Sequence, residues 1–443
     1  MSFTQSELLS RRYSLQLDDA WRAWFDCPQA GEHLRGAFRN RVSVEDLLAD
    51  TPVDLWPGFM LPDSLPIVGN GYGDWWCIRV DENSRISEVI HWLHGGGDWI
   101  PIGKSIAEAV LWDLVSAWRG TAIAEQHASH EFPHRPLPDD IDRDEAGQCA
   151  VWISEQLGLA TREIIQVIQS AASGSYQAAI QRLIDLGLCT SAARCEMIEL
   201  ALQAKLVALA DRTLARRLGV QWIPDFTRWL FDTQHIPIAV RETIRAEQPA
   251  ASFEQDWHTA ERLALDELND RKDLGWAATV AGWAAERRGD AGQSQHLYYS
   301  AKHASAFTDQ SIRLRSHWFP EHFSKFSAAQ LYDALSSGKG DSADSKFAQD
   351  AYLKILWEEP TTRVRSAVRD YWSALASQAE SAGDHAIAYK HFHAAGWDLG
   401  AERLSDYDRI LNGLSRSALA SGAVARASIA DAYRACLQQR LSL

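Results

Sequence analysis

The stretch LPIVGNGYGDWWCIRV, residues 65–80, places Gly69, Gly71 and Gly73 directly ahead of an apolar and aromatic run. Glycines at this spacing bind dinucleotide phosphates when they follow a strand and open a helix. Here the residues after the glycines, DWWCIRV, have the aromatic and β-branched side chains that favour a strand. The third glycine of the dinucleotide fingerprint is also missing, because position 74 is aspartate. The pattern therefore predicts a tight turn that leads into a strand.

Two more runs of the same character follow this strand. They are ISEVIHWL at 86–93 and DWIPI at 98–102, and the polar or glycine-rich segments DENSR and HGGG separate them. Strand-like runs divided by short turn segments are typical of hairpins joined in a meander. The order lacks the alternation of strand and helix that a parallel sheet requires.

Helices are predicted on both sides of the meander. Ser43 with Asp46 has the spacing of a capping box, in which a hydroxyl satisfies a backbone N–H at the helix start. Ser105 with Glu108 repeats this signal ahead of an apolar helix face. The segment 7–25 has apolar residues for one or two further helices. The region up to about residue 120 is therefore expected to be an α+β domain.

From about residue 146 the sequence is predicted to be almost entirely helical. Three segments align without gaps: GSYQAAIQRLIDL at 174–186, GDAGQSQHLYYSA at 289–301 and GDHAIAYKHFHAA at 383–395. Each begins with glycine, which permits a helix–helix turn, and each has a small residue at its sixth position. The segments resemble the second helix of the tetratricopeptide repeat, but the period is irregular, so other α-solenoid types stay open. An all-α helical-repeat domain is expected over 146–443.

An acidic segment with several prolines separates the two regions. EFPHRPLPDDIDRDEAG, at 131–147, has three prolines and six acidic residues, so a packed core is not expected there and a linker is predicted over 121–145. Of the net charge of −15, the first 145 residues contribute −12, with 12 Lys and Arg against 24 Asp and Glu. Such a domain repels nucleic acid and attracts basic partners.

Other features of the composition indicate a protein of the cytoplasm. No apolar stretch is long enough to span a bilayer, and the first residues lack the pattern of a secretory signal. The six cysteines form no CxxC pair and have no regular spacing. They are therefore expected to be free, mostly buried thiols, with neither a disulfide framework nor a zinc cage.

Candidate catalytic and metal sites are weak. HEFPH, from His130 to His134, matches the zinc-protease pattern, but Pro133 would break the helix that has to hold both imidazoles on one face. His91, His94 and Asp98 could ligate zinc at a turn, but a fourth ligand is not apparent. Nucleophile-elbow, phosphate-loop and kinase motifs are absent from the sequence. We therefore expect no enzyme activity, no catalytic or metal-binding residues and no cofactor.

Over residues 61–114 the sequence resembles the SUKH superfamily, which includes bacterial immunity proteins and fungal regulators of cell-wall synthesis. The positions that carry the resemblance are the turn Gly69, Asn70, Gly71, Gly73 and Asp74, then Val89, Trp92 and His94 in a strand, and Ser105 at a helix start. The glycine tip at 95–97 and Ile106 depart from the family pattern. The resemblance implies a mainly antiparallel sheet with packed helices, and a bacterial member would neutralise a toxin by binding it without catalysis.

This resemblance leads to a specific expectation about function. The chain is predicted to be a non-enzymatic immunity protein that binds a bacterial toxin, expected to be a basic domain such as a nuclease, without contacting nucleic acid or membrane. The contact residues are predicted to be Asp74, Trp75, His94, Asp98 and Trp99, and the helical repeats would add a second contact surface. The alternative is a regulatory scaffold in which the repeats bind partners and the N-terminal domain docks or senses. The identity of the toxin, the binding face and the oligomeric state stay open.

Overall fold

A computed structural model describes the chain in two compact units. The residues described are 3–34, 36–49, 56, 60–94, 97–118, 143–202, 236–247, 253–307, 318–319, 324–337 and 347–441. Unit 1 consists of Met1–Ala193 together with Arg369–Leu443, and unit 2 consists of Arg194–Val368. In chain order, unit 2 therefore lies between the two segments of unit 1.

The sheet of unit 1 has five antiparallel strands in sequential order. They are β1 (Asn40–Arg41), β2 (Ser64–Gly69), β3 (Trp75–Val80), β4 (Ile86–Leu93) and β5 (Asp98–Gly103). Trp75 pairs with Trp92, and Trp92 pairs with Trp99 on the next strand. The three strands predicted after the glycine turn are thus confirmed, as is an α+β region followed by many helices.

Two of the first four α-helices of unit 1 begin where the sequence predicts. The four are α1 (Gln5–Tyr13), α2 (Asp19–Asp26), α3 (Val44–Leu48) and α4 (Ile106–Ser116), with a 3₁₀ helix at Pro28–His33, and the two are α3 and α4. The Ser43 hydroxyl accepts a hydrogen bond from the Asp46 N–H at 3.0 Å, and the Ser105 hydroxyl accepts one from the Glu108 N–H at 3.2 Å. The two predicted caps are confirmed, and the segment 7–25 contains two helices.

The remaining described elements are mostly helices. They are α5 (Arg143–Leu157), α6 (Thr161–Ala172), α7 (Tyr176–Asp185), α8 (Thr190–Leu202), α9 (Ile238–Glu247), α10 (Trp257–Asp270), α11 (Gly275–Arg287), α12 (Ala291–Ala301), α13 (Phe326–Ser336), α14 (Ala351–Glu358), α15 (Val364–Ser381), α16 (His385–Trp397), α17 (Leu404–Ala420) and α18 (Val424–Leu441), with a two-stranded sheet of β6 (Trp318–Phe319) and β7 (Ser324–Lys325). Among the described helices, none has the length and apolar composition needed to cross a membrane.

The three aligned segments form the same helical turn. Gly174, Gly289 and Gly383 have φ values of 79°, 80° and 77°, in the left-handed region that glycine favours. In each case the residue after the glycine donates its N–H to the carbonyl five residues earlier, which ends the preceding helix. The small residues at the sixth position are buried, so that the paired helices approach closely. The turn recurs at Gly158, Gly187 and Gly422, which the alignment did not include.

The last helix of the chain packs against the sheet within unit 1. The Arg426 Nε donates to the Val80 carbonyl at 3.0 Å, and the Arg440 guanidinium donates to the Trp56 carbonyl at 2.9 Å. The Trp56 ring, fully buried, stacks on Tyr433 with ring centroids 6.0 Å apart. The helix predicted to belong to the repeats therefore also supplies part of the core of unit 1. The predicted domain limit at 120 lies outside the described residues and the predicted end of the linker at 145 lies within α5, and both limits stay a prediction.

Candidate functional site

The glycine turn between β2 and β3 is held by its own side chains. The Asn70 Oδ1 accepts hydrogen bonds from the Tyr72 N–H at 2.8 Å and the Asp74 N–H at 3.1 Å, and the Asn70 Nδ2 donates to Asp74 Oδ2 at 2.9 Å. Gly71 and Gly73 have φ values of 77° and 100°. A strand follows the turn, which confirms the predicted turn. Two of its amides are already used inside the loop, so the arrangement does not resemble a phosphate cradle.

Asp74 joins this turn to the end of β4. Its Oδ1 accepts a hydrogen bond from the His94 N–H at 3.0 Å and lies 2.8 Å from the His94 Nδ1. Burial alone would raise the pKa of Asp74, but the hydrogen bonds from His94 and Asn70 outweigh it, and the pKa is lowered. The carboxylate is therefore charged at neutral pH. The structure brings together these two members of the predicted contact set.

Aromatic side chains are exposed at this end of the sheet. Tyr72, between the two glycines, is 73% exposed, and the His94 side chain is 56% exposed. Trp75 is half-buried and its ring lies against Gly69. We call Tyr72, Asp74, Trp75 and His94 the turn surface. Aromatic residues are enriched in protein interfaces because they bury a large area at a small cost in side-chain entropy.

The other two predicted contact residues lie inside unit 1. Asp98 has no exposed area and Trp99 is 4% exposed. The guanidinium carbon of Arg79 lies 5.0 Å from the centre of the Trp99 ring, so this tryptophan packs against the charged side chain of β3. A partner that binds the folded unit can reach the turn surface without touching Asp98 or Trp99. Strand pairing nevertheless places both residues close to His94 along the strands, since Asp98 pairs with Leu93 and Trp99 with Trp92.

Sequence reasoning missed Tyr72 and a buried charge cluster. Tyr72 could have been found, because a large side chain between two glycines at a turn has no neighbouring side chains to cover it. The charge cluster is centred on Arg79, whose guanidinium donates to Asp63 Oδ2 and to Glu88 Oε1, both at 2.8 Å. The signal for it is one arginine in the otherwise apolar run WWCIRV. A charge in such a run needs a buried partner.

The charge cluster strongly perturbs Asp63, which is 2% exposed. Burial raises its pKa, but the charges of Arg79, His393 and Arg426 and the hydrogen bonds from Arg79 outweigh this effect and lower the pKa to about 2. Because Arg426 lies on the last helix and Arg79 on β3, the cluster ties that helix to the sheet. The hydrogen bond from the Arg426 Nε to the Val80 carbonyl adds a direct contact between the same two elements.

The described residues give little support to metal or thiol chemistry. The segment His130–His134 lies outside them, and within them we find no group of three or more His, Cys, Asp or Glu side chains placed to hold a metal ion. Cys27 is exposed and the other five cysteines are buried. Burial raises the pKa of the Cys77 and Cys189 thiols, and that of Cys436 to about 11. These three thiols are therefore protonated at neutral pH, and a protonated thiol is a poor nucleophile and metal ligand.

Comparison with known proteins adds no relative. No family model, curated protein or solved structure matches this chain.

Proposed function

We propose that this chain is a non-enzymatic immunity protein that neutralises a bacterial toxin by binding it through the turn surface of unit 1. The observation that carries the proposal is the pair of exposed side chains Tyr72 and His94 beside the half-buried Trp75, on two turns that the charged Asp74 joins by hydrogen bonds. Binding energy in protein interfaces is concentrated in a few such anchors. The resemblance over residues 61–114 supplies the class of partner.

Charge supports the same kind of partner. The first 145 residues contribute −12 of the net charge of −15, so the region that contains the turn surface is acidic. A toxin domain that handles nucleic acid has a basic surface, and opposite fields speed the encounter of two proteins. This attraction weakens with added salt because ions screen it. The association rate should therefore fall between low and physiological ionic strength.

A second function remains a candidate because the helical turn recurs along the chain. Stacked helical hairpins form extended surfaces that bind other proteins. In that case the repeats would bind the partner and the sheet would only dock or sense. The two hypotheses differ in which residues the partner contacts, so point variants can separate them.

The experiment is co-expression of the full chain with the toxin encoded beside it, followed by binding of the two purified proteins by calorimetry. The informative variant combines Asp74→Asn with His94→Ala, which removes the carboxylate and the imidazole that meet at the turn surface. The matched control is Ile238→Ala, because Ile238 is an exposed apolar residue of unit 2. We expect the wild type and the control to restore growth and bind, and the double variant to bind at least tenfold more weakly.

The outcomes distinguish the candidates. If the double variant protects and binds as the wild type does, while variants of exposed repeat residues fail, the scaffold hypothesis replaces the proposal. If the wild type is soluble with the toxin but neither binds it nor restores growth, the proposal is wrong. Thermal unfolding of each variant shows whether a loss of binding arises from a loss of fold.

A further inference from the structure

We infer that Tyr72 is the aromatic anchor of the turn surface and that the partner receives its ring in a pocket with a basic rim. The inference rests on the proposed function and adds the residue that dominates binding and the chemistry of the surface that accepts it. Tyr72 was not among the contact residues predicted from the sequence.

The loop that presents the Tyr72 ring is held by hydrogen bonds. The Tyr72 N–H donates to Asn70 Oδ1 at 2.8 Å, and the residue is flanked by Gly71 and Gly73, both with positive φ. Asp74 closes the loop through Asn70 on one side and His94 on the other. A side chain presented on an ordered loop loses little conformational entropy when a partner binds it.

The Tyr72 ring itself is largely exposed. Tyr72 is 73% exposed, more than the other large aromatic residues of the described part of unit 1. Among the described residues its side chain forms no hydrogen bond and no ring contact, whereas its backbone N–H is used by the turn. Hydrogen bonds therefore fix the loop, whereas the ring that it presents contributes little to the fold. An aromatic ring in this state can bury most of its area in a partner.

A negative charge lies close to the Tyr72 ring along the chain. The Asp74 carboxylate lies two residues from the ring, and the hydrogen bonds that it accepts from Asn70 and His94 favour its charged form. Burying this site against a neutral or acidic partner would leave the carboxylate without a compensating charge. A pocket rimmed by Lys or Arg accepts both the ring and the neighbouring carboxylate. The active-site cleft of a nuclease domain is a concave surface of this chemistry.

The test uses the full chain and the purified toxin domain encoded beside it. Tyr72→Ala removes the ring, Tyr72→Phe keeps it, and Tyr332→Ala serves as the matched control because Tyr332 is a 50% exposed tyrosine of unit 2. Truncation of an interface anchor weakens binding by about 30-fold or more. We expect that loss for Tyr72→Ala, a loss of only a few-fold for Tyr72→Phe, and the wild-type Kd for Tyr332→Ala.

The result separates this inference from the proposed function. If Tyr72→Ala binds the toxin as the wild type does while the double variant of Asp74 and His94 binds it more weakly, Tyr72 is not the anchor and the proposed function stands. If the wild type does not bind the toxin, both fall. Replacing Lys and Arg on the rim of the toxin cleft should weaken toxin binding by the wild type, and Tyr72→Ala should then weaken binding little further. If the losses in binding free energy from the two changes simply add, the assignment of the pocket is wrong.

Discussion

Replacing Asp63 with asparagine tests the charge cluster that ties the last helix to the sheet. Asp63 is 2% exposed, and the Arg79 guanidinium donates to it twice, with N–O distances of 2.8 and 3.3 Å. The Asp63→Asn variant keeps the volume but removes the negative charge that faces Arg79 and Arg426. Glu88 is then left to balance the arginine on β3. We expect unit 1 to be clearly less stable.

The magnitude follows from the pKa of Asp63. Its reduction from 3.8 to about 2 corresponds to about 2 kcal/mol of stability at neutral pH, at roughly 1.4 kcal/mol per unit. Removing one partner of a buried ion pair costs about 3–5 kcal/mol, because the remaining charge is left without full compensation. A loss of about 2–4 kcal/mol at pH 7 is therefore expected for Asp63→Asn.

The same loss should depend on pH. The folded-state pKa of Asp63 lies below the unfolded value, so its stabilisation is complete above about pH 5 and is lost as the pH falls toward 2. The stability difference between wild type and variant should therefore narrow as the pH is lowered from 5. The asparagine has no proton to gain, so this part of the acid sensitivity is missing from the variant.

The assay is amide hydrogen exchange of the full chain, followed by mass spectrometry of peptides from Trp75–Val80 and Val424–Leu441. Faster exchange in both peptides at pH 7 is the expected result, because the cluster connects these two elements. Asp19→Asn is the matched control, since the Asp19 side chain is fully exposed, and we expect it to exchange as the wild type does. Equal protection of Asp63→Asn and wild type at pH 7 would refute this account of the cluster.

Three further perturbations test other parts of the structure. Gly73→Ala should destabilise the turn by about 1–3 kcal/mol and weaken toxin binding, because φ is 100° and a Cβ would lie 3.1 Å from the His94 Cγ. Thermal unfolding measures the first effect and calorimetry the second, and an unchanged melting temperature would contradict the strained geometry. Trp56→Ala should lower the free energy of unfolding by about 3–5 kcal/mol and increase amide hydrogen exchange in Val424–Leu441, since the Trp56 ring is fully buried against Tyr433. Exchange of that helix at the wild-type rate would show that other contacts hold it in place. Replacing residues 194–368 by a flexible Gly/Ser linker should leave unit 1 folded, as measured by circular dichroism, and able to bind the toxin, as measured by calorimetry. A folded product that no longer binds the toxin would favour the scaffold hypothesis.

The elements that the sequence predicted correctly are those specified by local signals. The strand at 86–93 was predicted with the bounds that the structure has, because a run rich in β-branched and aromatic residues lies between two turn segments that define its ends. The caps at Ser43 and Ser105 depend on contacts three residues apart, so they too can be recognised in the sequence. The glycine turn followed from the strand-like residues after it.

Long-range packing could not be predicted in the same way. Arg440 donates to the carbonyl of Trp56 across 384 positions of the chain, and nothing near either residue indicates the other. The burial of Asp98 has a related cause, because a residue next to a turn looks exposed until the elements that cover it are known. Local patterns predicted β3, β4, β5, α3 and α4, whereas β1 and β2 were not predicted and the closure of unit 1 by the last helix is a property of the folded chain.

The central claim is that the chain neutralises its partner by stoichiometric binding without chemical change. The most direct test adds increasing amounts of the purified full chain to a fixed amount of the purified toxin and measures the remaining toxin activity. We expect activity to fall linearly to zero at a fixed molar ratio, and the toxin to regain activity and keep its original mass once the complex is separated in denaturant. Complete inactivation by a small fraction of one equivalent, or a changed toxin mass, would contradict the account.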